Sequence, residues 1–75
     1  DVDKREVDFL VTINGKPWFA VEAKTKDTRL SPHLLYFRDR LLIPYVYQVV
    51  KMDNTDKIEK GARIISAGKF LSGLI

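Results

Sequence analysis

Three charged residues stand in two apolar stretches of the chain and could act together on a phosphate ester. Asp8 interrupts the run EVDFLVTI, while Glu22 and Lys24 belong to the run WFAVEAK. An ionised carboxylate within an apolar strand is costly unless it is paired or bound to a metal ion. Residues two apart on a strand share a face, so Glu22 and Lys24 point to the same side. If all three side chains converge on one face, this pattern predicts metal-assisted chemistry at a phosphorus centre. The alternative is a solvated cluster of carboxylate–lysine pairs on an exposed hairpin face.

The predicted cofactor is Mg²⁺ or Mn²⁺. Mg²⁺ prefers six oxygen ligands at about 2.0 to 2.1 Å and keeps several of its waters. The expected metal ligands are therefore the carboxylates of Asp8 and Glu22 and the main-chain carbonyl of Ala23. Lys24 would position a water and stabilise the charge that develops on the phosphate. Glu6 is a candidate for an additional acidic ligand.

The site depends on the register of a hairpin formed by these two runs. A two-residue turn at Asn14-Gly15 would place Asp8 and Glu22 on opposite faces of the sheet. A three-residue loop that begins at Ile13, or an equivalent bulge, would keep them on one face. Glu6 would then face Glu22, and Asp8 would lie diagonally, about 7 to 8 Å away between backbones. We predict this loop or an equivalent bulge.

Further elements are predicted after the hairpin, and they would position it in a sheet. Ser31-Pro32 predicts the start of a helix, with Ser as the N-cap and Pro at the first helical position, and Pro44 predicts its end. The apolar run Tyr45–Val50 predicts a strand covered on both faces. This strand should lie parallel to the strand that ends at Lys24. The remaining predictions are an apolar helix face formed by Leu34, Leu35, Phe37, Leu41 and Leu42, a polar connector over residues 51–60, a strand over 63–67 and a helical tail over 69–74.

The predicted fold class is α/β: a mixed β-sheet with an antiparallel hairpin, a crossover helix and a parallel strand. Composition agrees, since 75 residues, 45% of them hydrophobic and 31% charged, are typical of one small globular domain. The absence of cysteine excludes a disulfide scaffold and a thiolate zinc site, and a single histidine is too few for a histidine metal site. No apolar run approaches the ~18 residues that span a bilayer, and no signal peptide is recognisable. We therefore expect a cytoplasmic protein without a membrane partner.

At these positions the sequence resembles a known family. Glu6-Val7-Asp8 and, after the hairpin, Val21-Glu22-Ala23-Lys24 resemble the D…ExK signature of the PD-(D/E)xK nucleases, which include restriction endonucleases and archaeal Holliday-junction resolvases. The longer runs REVDFLVTINGKPWFAVEAK, LSPHLLYFRDRLLIP, YQVV and ISAGKFLSGL are similar to the nuclease-like C-terminal domain of bacterial and archaeal AAA-type ATPases. The resemblance covers residues 5–74.

The resemblance assigns roles to individual residues. It implies that Asp8 and Glu22 bind the metal, that Lys24 is the catalytic lysine and that Gln48 is a polar residue near the site. The family core usually begins with a helix, which nothing before Glu6 is long enough to supply, and Val7 stands where the family has proline. Because the chain starts at Asp1 and has no GxxxxGK[ST] loop, we expect residues 1–75 to be a restriction-endonuclease-like fragment from the C-terminus of a larger ATPase.

The function implied by this resemblance is a Mg²⁺-dependent endonuclease domain that acts on DNA phosphodiesters. The alternative is a catalytically inactive nuclease-like module that mediates DNA or protein contacts and regulates the attached ATPase. Lys26, Arg29 and Arg38 are candidate phosphate contacts, or else solvated surface. The upstream ATPase domain is the expected partner within the same chain. The sequence is compatible with either a monomer or an oligomer. The aromatic residues Trp18, Tyr36, Tyr45 and Tyr47 are expected to pack rather than to stack on bases.

Overall fold

The computed structural model of the chain describes residues 7–25 and 29–73, without the side chains of residues 7 and 8. Neither helix in this part of the chain has the length and apolar character needed to cross a membrane. The elements, in chain order, are β1 (Val7–Ile13), β2 (Lys16–Lys24), α1 (Pro32–Leu41), β3 (Tyr45–Val50), β4 (Asp56–Glu59), β5 (Ala62–Ser66) and α2 (Ala67–Ser72).

The strands form one five-stranded mixed sheet in the order β1-β2-β3-β5-β4. The three central strands β2, β3 and β5 are parallel, and the edge strands β1 and β4 pair antiparallel with their neighbours. The α/β class, the antiparallel hairpin and the parallel strand after the crossover helix are therefore confirmed. The predicted polar connector over residues 51–60 is wrong in part, because β4 lies within it. All four β4 residues are exposed, so no burial pattern marks the strand, which pairs with β5 through its backbone.

The two helices pack on opposite faces of the sheet. Leu34 of α1 packs on Ala20, Val46 and Ala62, one from each parallel strand, and Ile43 completes this core. On the other face, α2 packs against β3 and β5. Residues alternate between faces along a strand. From Phe19 onwards in β2, and along β3 and β5, even-numbered residues therefore face α1 and odd-numbered residues face α2.

The predicted ends of α1 are confirmed. The Oγ atom of Ser31 accepts a hydrogen bond from the backbone amide of Leu34 at 3.4 Å, and the helix ends before Pro44 with Leu42 in the left-handed conformation (φ 54°). The predicted apolar helix face is only partly covered, because Leu34 is the buried residue of α1 and Leu42 is 82% exposed. Likewise, β3 is not covered on both faces along its length, because Tyr45 is exposed.

Candidate functional site

A β-bulge decides which residues share a face in the β1–β2 hairpin. Asn14 and Gly15 form a two-residue turn, both with positive φ (52° and 77°), as in a type I′ hairpin turn. The predicted three-residue loop is therefore wrong. The register instead shifts between Val11 and Thr12, where Trp18 is the extra residue of β2. This is the equivalent bulge, and it reverses the parity that the two-residue turn alone would give.

The bulge places Asp8 directly opposite Glu22. Directly opposed positions of an antiparallel pair lie on the same face, with Cα atoms about 4.5 to 5.5 Å apart. The predicted diagonal arrangement is thus replaced by a closer one. Glu6, which was expected to face Glu22, lies outside the described residues, and so does the side chain of Asp8.

Glu22 is buried on the face that α1 covers, with 2% of its surface exposed. It is one of the residues that line a groove of about 230 Å³ between the β1–β2 hairpin and α1. The other lining residues are all apolar: Phe9, Leu10, Ala20, Val21, Leu34, Phe37, Leu41 and Ile43. A carboxyl group therefore stands in mainly hydrocarbon surroundings, where its charged form is costly unless a cation or hydrogen bonds stabilise it.

Gln48 of β3 is paired with Glu22 of β2 and is fully buried. Its Oε1 atom accepts a hydrogen bond from the backbone amide of Ser31, and its Nε2 atom donates one to the backbone carbonyl of Arg29, both at 2.7 Å. Gln48 therefore fastens the segment that leads into α1 to the centre of the sheet. This role was not foreseen, although a single amide in the apolar run YVYQVV is the signal that could have indicated it.

Lys24 is the last residue of β2 and is partly buried. It shares the α1 face with Glu22, whereas the side chain of Ala23 between them lies on the other face. No group of three or more acidic or histidine side chains that could hold a metal occurs among the described residues. The donors that could hold one are the Glu22 carboxylate and the Ala23 carbonyl, together with the acids at positions 6 and 8, whose side chains lie outside the part of the chain that the structure describes.

The three candidate phosphate contacts lie in different places. Lys26 is outside the described residues, and Arg29 is exposed in the segment before α1. Arg38 lies on α1 and donates to the carbonyl of Lys60, in the β4–β5 turn, and to Asp39. That turn precedes β5, whereas Lys24 lies at the carboxyl ends of the parallel strands. Arg38 is therefore at the opposite end of the sheet from Lys24.

An ion pair lies on the far side of the sheet. Arg63 of β5 donates two hydrogen bonds to the carboxylate of Asp56 on β4, at 2.9 and 2.8 Å. These bonds from Arg63 hold the pKa of Asp56 below its ordinary value of 3.8, and the same bonds raise the pKa of Arg63. This cross-strand pair joins the edge strand β4 to the sheet.

No protein-family model matches the chain, and no curated protein or solved structure matches it either. The resemblance to PD-(D/E)xK nucleases therefore stays a prediction. The structure itself establishes a small α/β domain with a mixed sheet and a helix on each face in the part of the chain that it describes.

Proposed function

We propose that this chain is a Mg²⁺-dependent nuclease domain that hydrolyses DNA phosphodiesters, as the C-terminal module of an AAA-type ATPase. The observation that carries the proposal is the register of β1 and β2, in which Asp8 is directly opposite Glu22. Like charges in opposed positions destabilise a sheet. A divalent cation shared by the two carboxylates would remove that cost and would explain why acids occupy both positions.

The residues present fit a hard cation. The carboxylates of Asp8 and Glu22 and the carbonyl of Ala23 would hold it, and these oxygen donors are the type that Mg²⁺ prefers. When bound, the ion supplies Lewis-acid polarisation and a water of lowered pKa. Lys24 would donate a hydrogen bond to the attacking water and orient it towards phosphorus. Its positive charge would also stabilise the phosphoryl oxygens as the bond to the leaving sugar oxygen breaks.

A second candidate is a catalytically inactive nuclease-like module that contacts DNA or protein and regulates the attached ATPase. The burial of Glu22 favours it, because a carboxylate with 2% exposure in an apolar groove is difficult for a phosphate to approach. The adjacent Gln48 uses both ends of its amide in bonds to the backbone, which supports a structural role for this part of the face.

Metal binding comes first in the test. The 75-residue chain is titrated with Mn²⁺, and broadening of its amide resonances by the paramagnetic ion is measured by NMR. We expect broadening centred on Glu22 and Ala23 that is lost in Asp8→Asn and Glu22→Gln. Asp39→Asn, which changes an exposed acid on α1, is the matched control and should bind Mn²⁺ like the wild type. Broadening that is equal in all four proteins would contradict the metal site.

Cleavage is the second test and separates the two candidates. Linear, supercoiled and branched DNA are incubated with the chain and Mg²⁺. Lys24→Ala should reduce cleavage ~100-fold or more if Lys24 stabilises the transition state. Lys51→Ala removes an exposed lysine beyond β3 and should have no effect. Metal binding without cleavage would favour the inactive module, and equal cleavage by both variants would reject the role of Lys24.

A further inference from the structure

A cleft of about 580 Å³ lies on the face of the sheet opposite α1. Its volume is within the range of about 300 to 1,000 Å³ that is usual for small-molecule sites. The chain has eight aromatic residues, and five of them are in this one cleft. The lining residues are Trp18, Phe19, Tyr45, Tyr47, Arg63, Ile65, Lys69, Phe70 and Gly73.

The aromatic rings of the cleft form a connected row. Phe19 contacts Trp18 and Tyr47 edge to face, with ring centroids 5.1 and 5.8 Å apart, and Tyr47 contacts Phe70 at 5.4 Å. These contacts hold the floor of the cleft in place. Trp18, the extra residue of the bulge, and Tyr45 remain 45% and 57% exposed, against the expectation that they pack. Their open ring surfaces suit a flat aromatic ligand.

The charge in the cleft selects among flat ligands. Arg63 and Lys69 line it, and none of the acidic side chains that the structure describes does. Asp56, which pairs with Arg63 from β4, neutralises one of the two positive charges, so the cleft keeps one in excess. The guanidinium side chain of Arg63 is still 46% exposed in that pair. A cationic ligand is therefore disfavoured, and an anionic group beside the ring is favoured.

We propose that this cleft binds a nucleobase together with its attached phosphate, supplied either by a free nucleotide or by one unit of a single-stranded DNA. The base stacks on Trp18 and Tyr45, and the phosphate lies near Lys69 and Arg63. This site is on the other face of the sheet from Glu22 and requires no metal. It therefore does not rest on the nuclease proposal, and either can fail without the other.

Trp18 is the only tryptophan of the chain, so its fluorescence reports on the cleft directly. The 75-residue chain is titrated with thymidine monophosphate, with a ten-residue deoxythymidine oligonucleotide and with inorganic phosphate, in the presence of a chelator. We expect saturable quenching by at least one of the two thymine ligands and none by phosphate. Quenching by the monophosphate identifies a free-nucleotide site, and quenching by the oligonucleotide alone identifies single-stranded DNA as the source.

Two pairs of variants control this experiment. Tyr45→Ala, in the cleft, should weaken binding about tenfold by loss of stacking, whereas Tyr36→Ala, an equally exposed tyrosine on α1, should not. Lys69→Gln should weaken binding, whereas Lys57→Gln, which removes the same charge from the exposed edge strand β4, should not. The proposal is overturned if neither thymine ligand quenches, or if both members of a pair lose affinity equally. It is also overturned if Trp18 fluorescence changes with chain concentration alone, which would indicate a second copy in the cleft.

Discussion

The two hydrogen bonds of Gln48 allow a direct test of what holds the candidate site together. Gln48→Met keeps an unbranched side chain of similar length but removes both polar groups. The backbone amide of Ser31 and the backbone carbonyl of Arg29 would then lose their partners on β3. We expect the protein to remain folded but to lose stability, most of all in the segment before α1.

The size of this loss follows from burial. Ser31 is buried, so leaving its amide unsatisfied should cost about 1 to 3 kcal/mol. Arg29 is exposed, so water can replace part of the bond to its carbonyl, and about 0.5 to 1.5 kcal/mol is expected there. The total is about 1.5 to 4.5 kcal/mol. A domain of this length has about 4 to 11 kcal/mol of stability, so the change would remove a large fraction of it.

Urea unfolding of the wild type and the variant measures the loss, and amide hydrogen exchange locates it. The Ser31 amide should exchange much faster in Gln48→Met, while the amides of the β4–β5 hairpin should change only as far as global stability does. Gln48→Glu is the companion variant, since it keeps an acceptor for Ser31 but loses the donor to Arg29. A loss below about 0.5 kcal/mol in Gln48→Met, with Ser31 still protected, would refute this account of Gln48.

Two further predictions concern the hairpin turns and the edge strand. Gly15 and Gly61 both have positive φ, so replacing either by Ala should lower the free energy of unfolding in urea by about 1 to 2 kcal/mol. Gly61→Ala should cost about 0.5 kcal/mol more, because its Cβ would lie 3.1 Å from Nη1 of Arg38, which donates to the carbonyl of Lys60. Equal losses in the two variants would contradict this contribution of Arg38. Because Arg63 lowers the pKa of Asp56, the pair stabilises the fold above about pH 3.8 and stops doing so as the pH falls through the lowered pKa. The difference in melting temperature between the wild type and Asp56→Asn should therefore shrink between pH 5 and 2, and a constant difference would contradict this.

The parts of the fold that local chemistry determines were predicted well. Ser31-Pro32 is a cap followed by the residue best suited to the first helical position, and α1 begins there. The parallel pairing of β3 with β2 follows from the handedness of a strand–helix–strand connection. By contrast, β4 has no buried residue and is held by its backbone and by one ion pair, so its side-chain pattern does not indicate a strand.

The candidate site depends on information that spacing does not contain. The distance along the chain between Asp8 and Glu22 is compatible with either face, and only the bulge at Trp18 decides between them. The partners of Gln48 are backbone groups 17 and 19 residues away, so no local motif predicts them. Long-range backbone contacts of this kind appear only when the whole sheet is assembled.

The position of β3 in the sheet has a consequence for folding. The β1–β2 and β4–β5 pairs are hairpins that can close locally and quickly, but both neighbours of β3 are parallel strands reached through long connections. During synthesis, Asp8 and Glu22 can therefore meet in a nascent hairpin well before Gln48 arrives beside them. The segment that leads into α1 is fastened only after β3 has entered the sheet, so completion of the site is a late step of folding rather than a property of its first hairpin.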